Sequence, residues 1–301
     1  MAICEFQVPG NGDITSIPVS DILTKLRETG VVLFRGGSVD PDTFEAFTRS
    51  LCDSFHNPAA RASMRADISD GFSTHVPAVN FVLLAHSEGV YIPHPYPPFS
   101  PPDIACFFCI VPPCEEGGQT ILVDGVKFLD RLPLEWADRF RSQGVIYEAL
   151  WEEDRWREEF PEDSQKATVD LLNTIEEIEY RFIENKLHFR YKTAAVTKTL
   201  NGQQAFATGI LAHLPHFNHP RYADQLVYTK PTNKVFFGDG EALGEEVING
   251  LVDIQDDILI AHDWQANDVV LIDNTRFMHG RNMTAKDCER RILSRFGMIR
   301  S

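Results

Sequence analysis

The chain has 301 residues, 43% of them hydrophobic, and 44 acidic against 28 basic side chains give a formal net charge of −16. That composition excludes collagen-like, disordered and disulfide-scaffold chains, and the length is about two average domains or one large one. The acidic field repels phosphate backbones and anionic lipid, so the expected partner is a small molecule, with no nucleic acid and no membrane.

The amino-terminal stretch MAICEFQVPG lacks the pattern of a secretory signal, and no apolar run reaches transmembrane length. The cysteines (Cys4, Cys52, Cys106, Cys109, Cys114, Cys288) are sparse and irregularly spaced. A cytoplasmic protein with free thiols is the expectation. Nothing in the sequence sets an oligomeric state.

In IPVSDILTKLRETG, Ser20 is placed to N-cap a helix, Ile22, Leu23 and Leu26 form its apolar stripe, and Gly30 stands where a C-cap belongs. VVLFRG then reads as a β-branched strand. DPDTFEAFTRSLCD opens a second helix with Asp40 as cap and Pro41 at the first helical position. Phe44, Phe47 and Leu51 share one face of it.

From Phe81 onward the texture changes to short β runs: FVLLAHSE, DIACFFCIV and QTILVDG, then HFRYKTAAV, QAFATGIL, KVFFG, DVVLIDN and RRILSRFGMI. A proline-rich loop from Pro93 to Pro102 and the turn Glu115-Glu116-Gly117-Gly118 punctuate them. Such runs predict a sandwich or barrel. Residues 152–186 read as a charged helical insertion broken at Pro161, with Val169, Leu172, Ile175, Ile178 and Phe182 at helical spacing. A second helical pattern covers about 241–254. The expected architecture is mainly β with flanking helices, one domain over residues 1–301.

The sharpest local feature is His86-Ser87-Glu88 at the end of an apolar run. On a strand, side chains two apart point the same way, so the imidazole and carboxylate converge. His279 ends another apolar run, VVLIDNTRFMHGR. Two histidines and one carboxylate are the facial triad that holds non-haem Fe(II) with positions left open. Alone, an H-x-E tripeptide is more often a solvated surface pair.

Context changes that weighting. HSEGVY, PPDIACFFCIVPPCEEGGQTILVDG, DNTRFMHGR and RRILSR, in that order, resemble the TauD/TfdA family of Fe(II)- and 2-oxoglutarate-dependent dioxygenases, with H-x-E as in its clavaminate synthase and SyrP-like branch. The resemblance covers roughly residue 30 to the end. It implies a double-stranded β-helix (jelly-roll) core, with His86, Glu88 and His279 as iron ligands. Thr120 matches the residue whose hydroxyl helps hold the cosubstrate, and Arg291 the arginine that pairs with the distal carboxylate of 2-oxoglutarate. Arg295 matches a position that binds an acidic substrate group in some members. The interval from His279 to Arg291 is one residue longer than in the taurine enzyme, which brings Arg290 in as an alternative clamp.

Strand alternation puts Arg291, Leu293 and Arg295 on one side of RRILSRFGM and Arg290 and Ile292 on the other, without saying which side faces the site. Arginine forks match carboxylates, while a solvated strand face is the plain alternative. The implied reaction takes Fe(II), 2-oxoglutarate and O2, releases succinate and CO2, and oxidises a C–H bond of a small molecule. The branch points to an amino acid or amino-acid-derived metabolite in specialised metabolism. A retained carboxylate ligand favours hydroxylation, desaturation or cyclisation over halogenation. The rival readings are an iron oxidase that does not use 2-oxoglutarate and a non-catalytic metal-binding relative.

Other features carry less. Cys106 and Cys109 of the C-x-x-C face opposite sides of a strand and read as buried packing thiols. His213, His216 and His219 form an H-x-x-H-x-x-H run, but Pro215 and Pro220 argue against one helical face, so a loop at the site mouth is expected. Asn282-Met283-Thr284 is only formally a glycosylation sequon. Glu176, Glu177 and Glu179 read as a solvated face. Asn80 and Tyr91 flank the H-x-E segment and are candidates for lining the substrate pocket.

Overall fold

The computed structural model describes residues 3–9, 12–56, 73–76, 79–96, 99–113, 117–160, 162, 164–285 and 288–300. In chain order these run β1 (Cys4–Gln7), α1 (Val19–Thr29), β2 (Val31–Arg35), α2 (Pro41–Leu51), β3 (Cys52–Phe55), β4 (Thr74–Val76), β5 (Leu83–His86), β6 (Ile104–Val111) and β7 (Thr120–Asp124). Next come α3 (Gly125–Arg131), α4 (Leu134–Gln143), β8 (Val145–Trp151), α5 (Glu153–Glu159), α6 (Gln165–Leu172), β9 (Ile178–Ile183), β10 (Lys186–Thr193), β11 (Val196–Lys198) and β12 (Gln204–Phe206). The chain closes with β13 (Lys234–Phe237), α7 (Glu245–Ile258), β14 (Ile260–His262), β15 (Val269–Asp273), β16 (Phe277–Arg281) and β17 (Arg291–Ile299). Among the described residues no helix is long and apolar enough to cross a membrane.

A large sheet is ordered β1-β2-β15-β6-β17-β3, with β4 also on β17, and a smaller one is ordered β14-β7-β16-β5. Between them lies an apolar layer that includes Leu33, Phe107, Leu122, Trp264, Ile272, Phe277, Ile292 and Phe296. The opposite face of the large sheet is covered by α1 and α2, where Leu26, Phe44, Phe47 and Leu51 meet Phe34, Phe108 and Leu293. Each such fully buried side chain contributes roughly 1.5–3 kcal/mol by leaving water. The smaller sheet is backed by α3, α4 and α7 through Val123, Phe128, Phe140, Leu251 and Met278. A third sheet, β13-β8-β10-β9, packs on α5 and α6. The chain is thus mainly β with flanking helices.

Local chemistry explains the elements, with three departures from expectation. Asp40 caps α2 by accepting from the Thr43 amide, with Pro41 at the start as expected. Helix α1 starts one residue before Ser20, capped at the backbone of Pro18, so Ser20 does not cap it. Gly30 ends it at φ 77°, and a Cβ there would run into the Phe277 ring; only glycine takes both constraints. The expected helical insertion stops at Leu172, and Ile178 and Phe182 belong to β9, a strand half-buried on alternate residues. In a short amphipathic stretch, the apolar positions satisfied both periods, and pairing with β10 decided between them. The later insertion is α7, shifted towards the carboxyl end. The Pro161 break and the Glu115-Glu116 part of the turn lie outside the described residues.

Cys4, Cys52, Cys106 and Cys109 carry free thiols. Cys288 is disulfide-bonded, so the expectation of free thiols fails at that position.

Candidate active site

The smaller sheet builds the site. His279 on β16 pairs directly with His86 at the end of β5, which sets the two imidazole centroids 4.8 Å apart. The strands approach this closely at Gly280, where a Cβ would collide with the Leu83 carbonyl oxygen. Glu88 is not on the strand, as the H-x-E spacing had predicted, but in the turn that follows. Asn274 holds that turn: its side-chain carbonyl accepts from the Glu88 amide at 2.8 Å, and its NH2 donates to the carbonyls of Glu88 and Pro102. Convergence therefore comes from a side-chain clamp rather than from strand alternation.

The Glu88 Oε2 atom lies 4.0 Å from His86 Nε2 and 3.9 Å from His279 Nε2. All three ligand atoms lie within 4.8 Å of one another on buried residues, the one such group of three found among the described residues. The Leu84 carbonyl, 3.2 Å from His86 Nδ1, accepts that proton and leaves Nε2 as a donor to a metal. Three atoms so clustered would hold a single divalent ion. The set fits a divalent ion chemically as well: two imidazole nitrogens and a carboxylate oxygen, all on buried residues, are the donor types such an ion takes. Phe107 and Phe296 pack against the His279 ring and keep that side apolar.

Thr120 opens β7 on the inner side of the smaller sheet, opposite Arg281 on β16 and His262 on β14. Trp264 Nε1 donates to Thr120 Oγ1 at 3.1 Å, so the hydroxyl proton is left to point elsewhere. Arg290 is buried beside this strand, its Nε donating to the Gly118 carbonyl at 2.9 Å. Burial lowers its pKa to about 10, and the guanidinium is still charged at neutral pH.

The two other arginines face away. Ile292 and Phe296 lie between the sheets and Leu293 lies under the helices. By strand alternation, Arg291 and Arg295 share the helix-covered side with Leu293. Arg291 is half exposed and pairs with Glu289 at 3.2 Å. Arg295 is fully buried, 4.3 Å over the Phe55 ring. The expected clamp at Arg291 and substrate contact at Arg295 are therefore not where the chemistry needs them.

Tyr91 does reach the site: its hydroxyl donates to Glu88 Oε1 at 3.0 Å. Asn80 is exposed and absent from the cavity wall. That cavity, about 440 Å³, opens on His86 and Glu88 and is walled by Tyr91, Tyr147, Trp151, Phe189, His213 and Lys230, among others. The three loop histidines diverge. His213 is buried in the cavity wall, His216 is exposed, and His219 lies 3.5 Å from Asp253. Cys106 and Cys109 lie in layers on opposite faces of the large sheet, and burial pushes the Cys109 thiol up to about 12. Sequence reasoning missed Asn274, Trp264, Tyr147 and Lys230. Of these only Asn274, in the DNTRFMHGR block, carried a local signal.

The family described as "Taurine catabolism dioxygenase TauD, TfdA family" matches residues 3–296. The dapdiamide synthesis protein DdaC of Enterobacter agglomerans is 24% identical over 277 residues, 88% of this chain and 80% of that protein. A clavaminate synthase-like protein of Arabidopsis thaliana is 25% identical over 287 residues, 89% of this chain and 82% of its own. Among solved structures, PvcB of Pseudomonas aeruginosa superposes with a TM-score of 0.57 at 15% identity, covering 98% of this chain and 84% of that one. PvcB is described as an Fe, alpha-ketoglutarate dependent oxygenase from an isonitrile synthetic pathway.

Proposed function

Because the chain belongs to the TauD/TfdA family of Fe(II)- and 2-oxoglutarate-dependent dioxygenases, we propose that it oxidises a C–H bond of a small metabolite seated in the cavity beside Glu88. The observation that carries this reading is the convergence of His86, Glu88 and His279, the first two of which line that cavity. Bound iron supplies the oxidising chemistry, with 2-oxoglutarate and O2 consumed and succinate and CO2 released. The protein's part is positional. His86, Glu88 and His279 hold the metal from one side and leave the other open.

Arg290 and Thr120 are the cosubstrate clamp in this reading. A buried guanidinium tied to the Gly118 carbonyl, two residues before Thr120, suits the distal carboxylate of 2-oxoglutarate. Phe107 and Phe296 exclude water behind His279. Tyr91 orients the second Glu88 oxygen. Glu88 as a ligand favours hydroxylation, desaturation or cyclisation. The two facing sheets are read as a double-stranded β-helix core of one domain. A cytoplasmic location is part of the reading; the free thiols of Cys4, Cys52, Cys106 and Cys109 favour it and the disulfide at Cys288 does not. One relative is named for dapdiamide synthesis and another for likeness to clavaminate synthase; both names support an amino-acid-derived substrate in specialised metabolism.

The test is anaerobic titration of the Fe(II)-loaded protein with 2-oxoglutarate, followed by aerobic turnover over a panel of amino-acid-derived compounds. A metal-to-cosubstrate charge-transfer band and substrate-coupled succinate are expected. The product should gain one oxygen atom or lose two hydrogens. Fe(II) binding with no such band, and no succinate with any compound, would overturn the reading.

A further inference from the structure

The wall of the cavity that opens on His86 and Glu88 carries the ammonium group of Lys230, to which the reading above gives no role. Lys230 sits on a segment laced into the structure by its backbone: Val82 donates to the Leu226 carbonyl, Tyr228 donates to the Val82 carbonyl, and the Lys230 amide donates to the Leu214 carbonyl at 2.8 Å. This places its side chain against His213. The Gly209 carbonyl, 2.8 Å from His213 Nδ1, takes the proton of that nitrogen. Nε2 is then an acceptor, and Lys230 Nζ donates to it at 2.6 Å. Burial, then the Lys230 charge, hold the His213 pKa well below the usual imidazole range. The neutral imidazole thus fixes the position of the ammonium.

The neighbours link this group to the metal site. The His213 ring lies 3.9 Å from that of Tyr91, whose hydroxyl bonds the ligand Glu88. Lys230 Nζ stands 5.1 Å from the Tyr91 ring centre and 6.0 Å from that of Tyr228. The remaining wall includes Tyr147, Trp151, Phe189 and Ile92. Glu152 and Arg155 also line the wall: Glu152 accepts from Lys186, and Arg155 pairs with Glu159 over the Trp151 ring.

We propose that Lys230, positioned by His213, anchors a carboxylate on the substrate, and that the substrate is a carboxylate-bearing molecule with an apolar or aromatic body. The inference rests on the reading of this cavity as the substrate site. It moves the acid-binding role expected at Arg295 to a residue that faces the cavity.

The test uses protein loaded with Mn(II) and N-oxalylglycine, titrated calorimetrically with 3-phenylpropionate, phenylacetate and indole-3-acetate, each paired with its neutral amide. At least one acid is expected to bind more tightly than its amide, by about tenfold to a hundredfold, as a charged hydrogen bond implies. Lys230→Met should abolish that preference, Lys230→Arg should retain most of it, and N-oxalylglycine affinity should stay the same in both. No acid binding better than its amide overturns the proposal, as does a preference that survives Lys230→Met but disappears in Arg155→Met. Loss of N-oxalylglycine binding by the unsubstituted protein would instead count against the dioxygenase reading.

Discussion

The β5–β16 pair and the strand β17 face each other across the same site, and they differ in what fixes the direction of their side chains. In the pair, His86 and His279 are register partners, so direction is set by hydrogen bonds between neighbours and by the glycine that lets them approach. In β17, direction depends on parity along one strand, with an irregularity in its pairing to β6 between Arg291 and Ile292. A shift of one residue exchanges the buried and outward sets completely. The three arginines on this strand or just before it therefore have three different fates: Arg290 is buried against the Gly118 carbonyl, Arg291 meets solvent, and Arg295 is sealed under the helices.

The largest effect should come from breaking the paired side. His279→Ala or Glu88→Ala is expected to lower Fe(II) affinity and turnover more than about a hundredfold, since loss of a mere supporting partner already costs 10–100-fold. Metal titration alongside circular dichroism checks this, because the fold should persist. An Fe(II) affinity unchanged in both variants would remove the triad from the argument.

The next effect sharpens the β17 side. Arg290→Met should raise the KM for 2-oxoglutarate at least about 30-fold, as expected when one partner of a buried charge pair is removed at roughly 2–5 kcal/mol. Arg291→Met, on the exposed side, should stay within about twofold. The reverse order would restore Arg291, the residue that the resemblance matches to the cosubstrate arginine.

These two outcomes trace what could be read from the chain alone. The cluster of His86, Glu88 and His279 was legible because an H-x-E and a distant histidine each end an apolar run, and such runs pair. The alternation of Arg290, Arg291 and Arg295 was legible too. Its absolute sense was not, because that depends on which layer receives Ile292 and which Leu293. Lys230 had no local mark at all: its place is set by backbone bonds from its segment, Tyr228 to Val82 and Lys230 itself to Leu214, remote or non-periodic neighbours in the sequence. Residues 178–183 failed for the opposite reason, carrying a pattern that served helix and strand equally well.

Arg295 separates packing from recognition. Arg295→Ala should destabilise the protein by about 2 kcal/mol or more, through the cavity left and the lost stacking on Phe55. The KM values for 2-oxoglutarate and substrate should remain unchanged in the folded fraction. Thermal unfolding and steady-state kinetics on one preparation distinguish the two effects. A substrate KM that rises with no change in Tm would return Arg295 to the recognition surface.

The smallest effect tests the cavity wall through its histidine. The folded-state pKa of His213 is depressed, by burial first and by the Lys230 charge second, so between that value and about 6.5 the unfolded chain binds the proton and the native one does not. Its contribution is thus fully present above about pH 6.5 and lost as pH falls below it, with a slope of at most about 1.4 kcal/mol per pH unit. His213→Gln removes the titrating group, so the stability difference between the two proteins should shift by that slope between pH 6.5 and 5.5 in denaturant titrations. Parallel curves across this window would mean that His213 is protonated in the native state. The Lys230 ammonium would then face a cation instead of an acceptor, and the arrangement of the cavity wall described above could not hold.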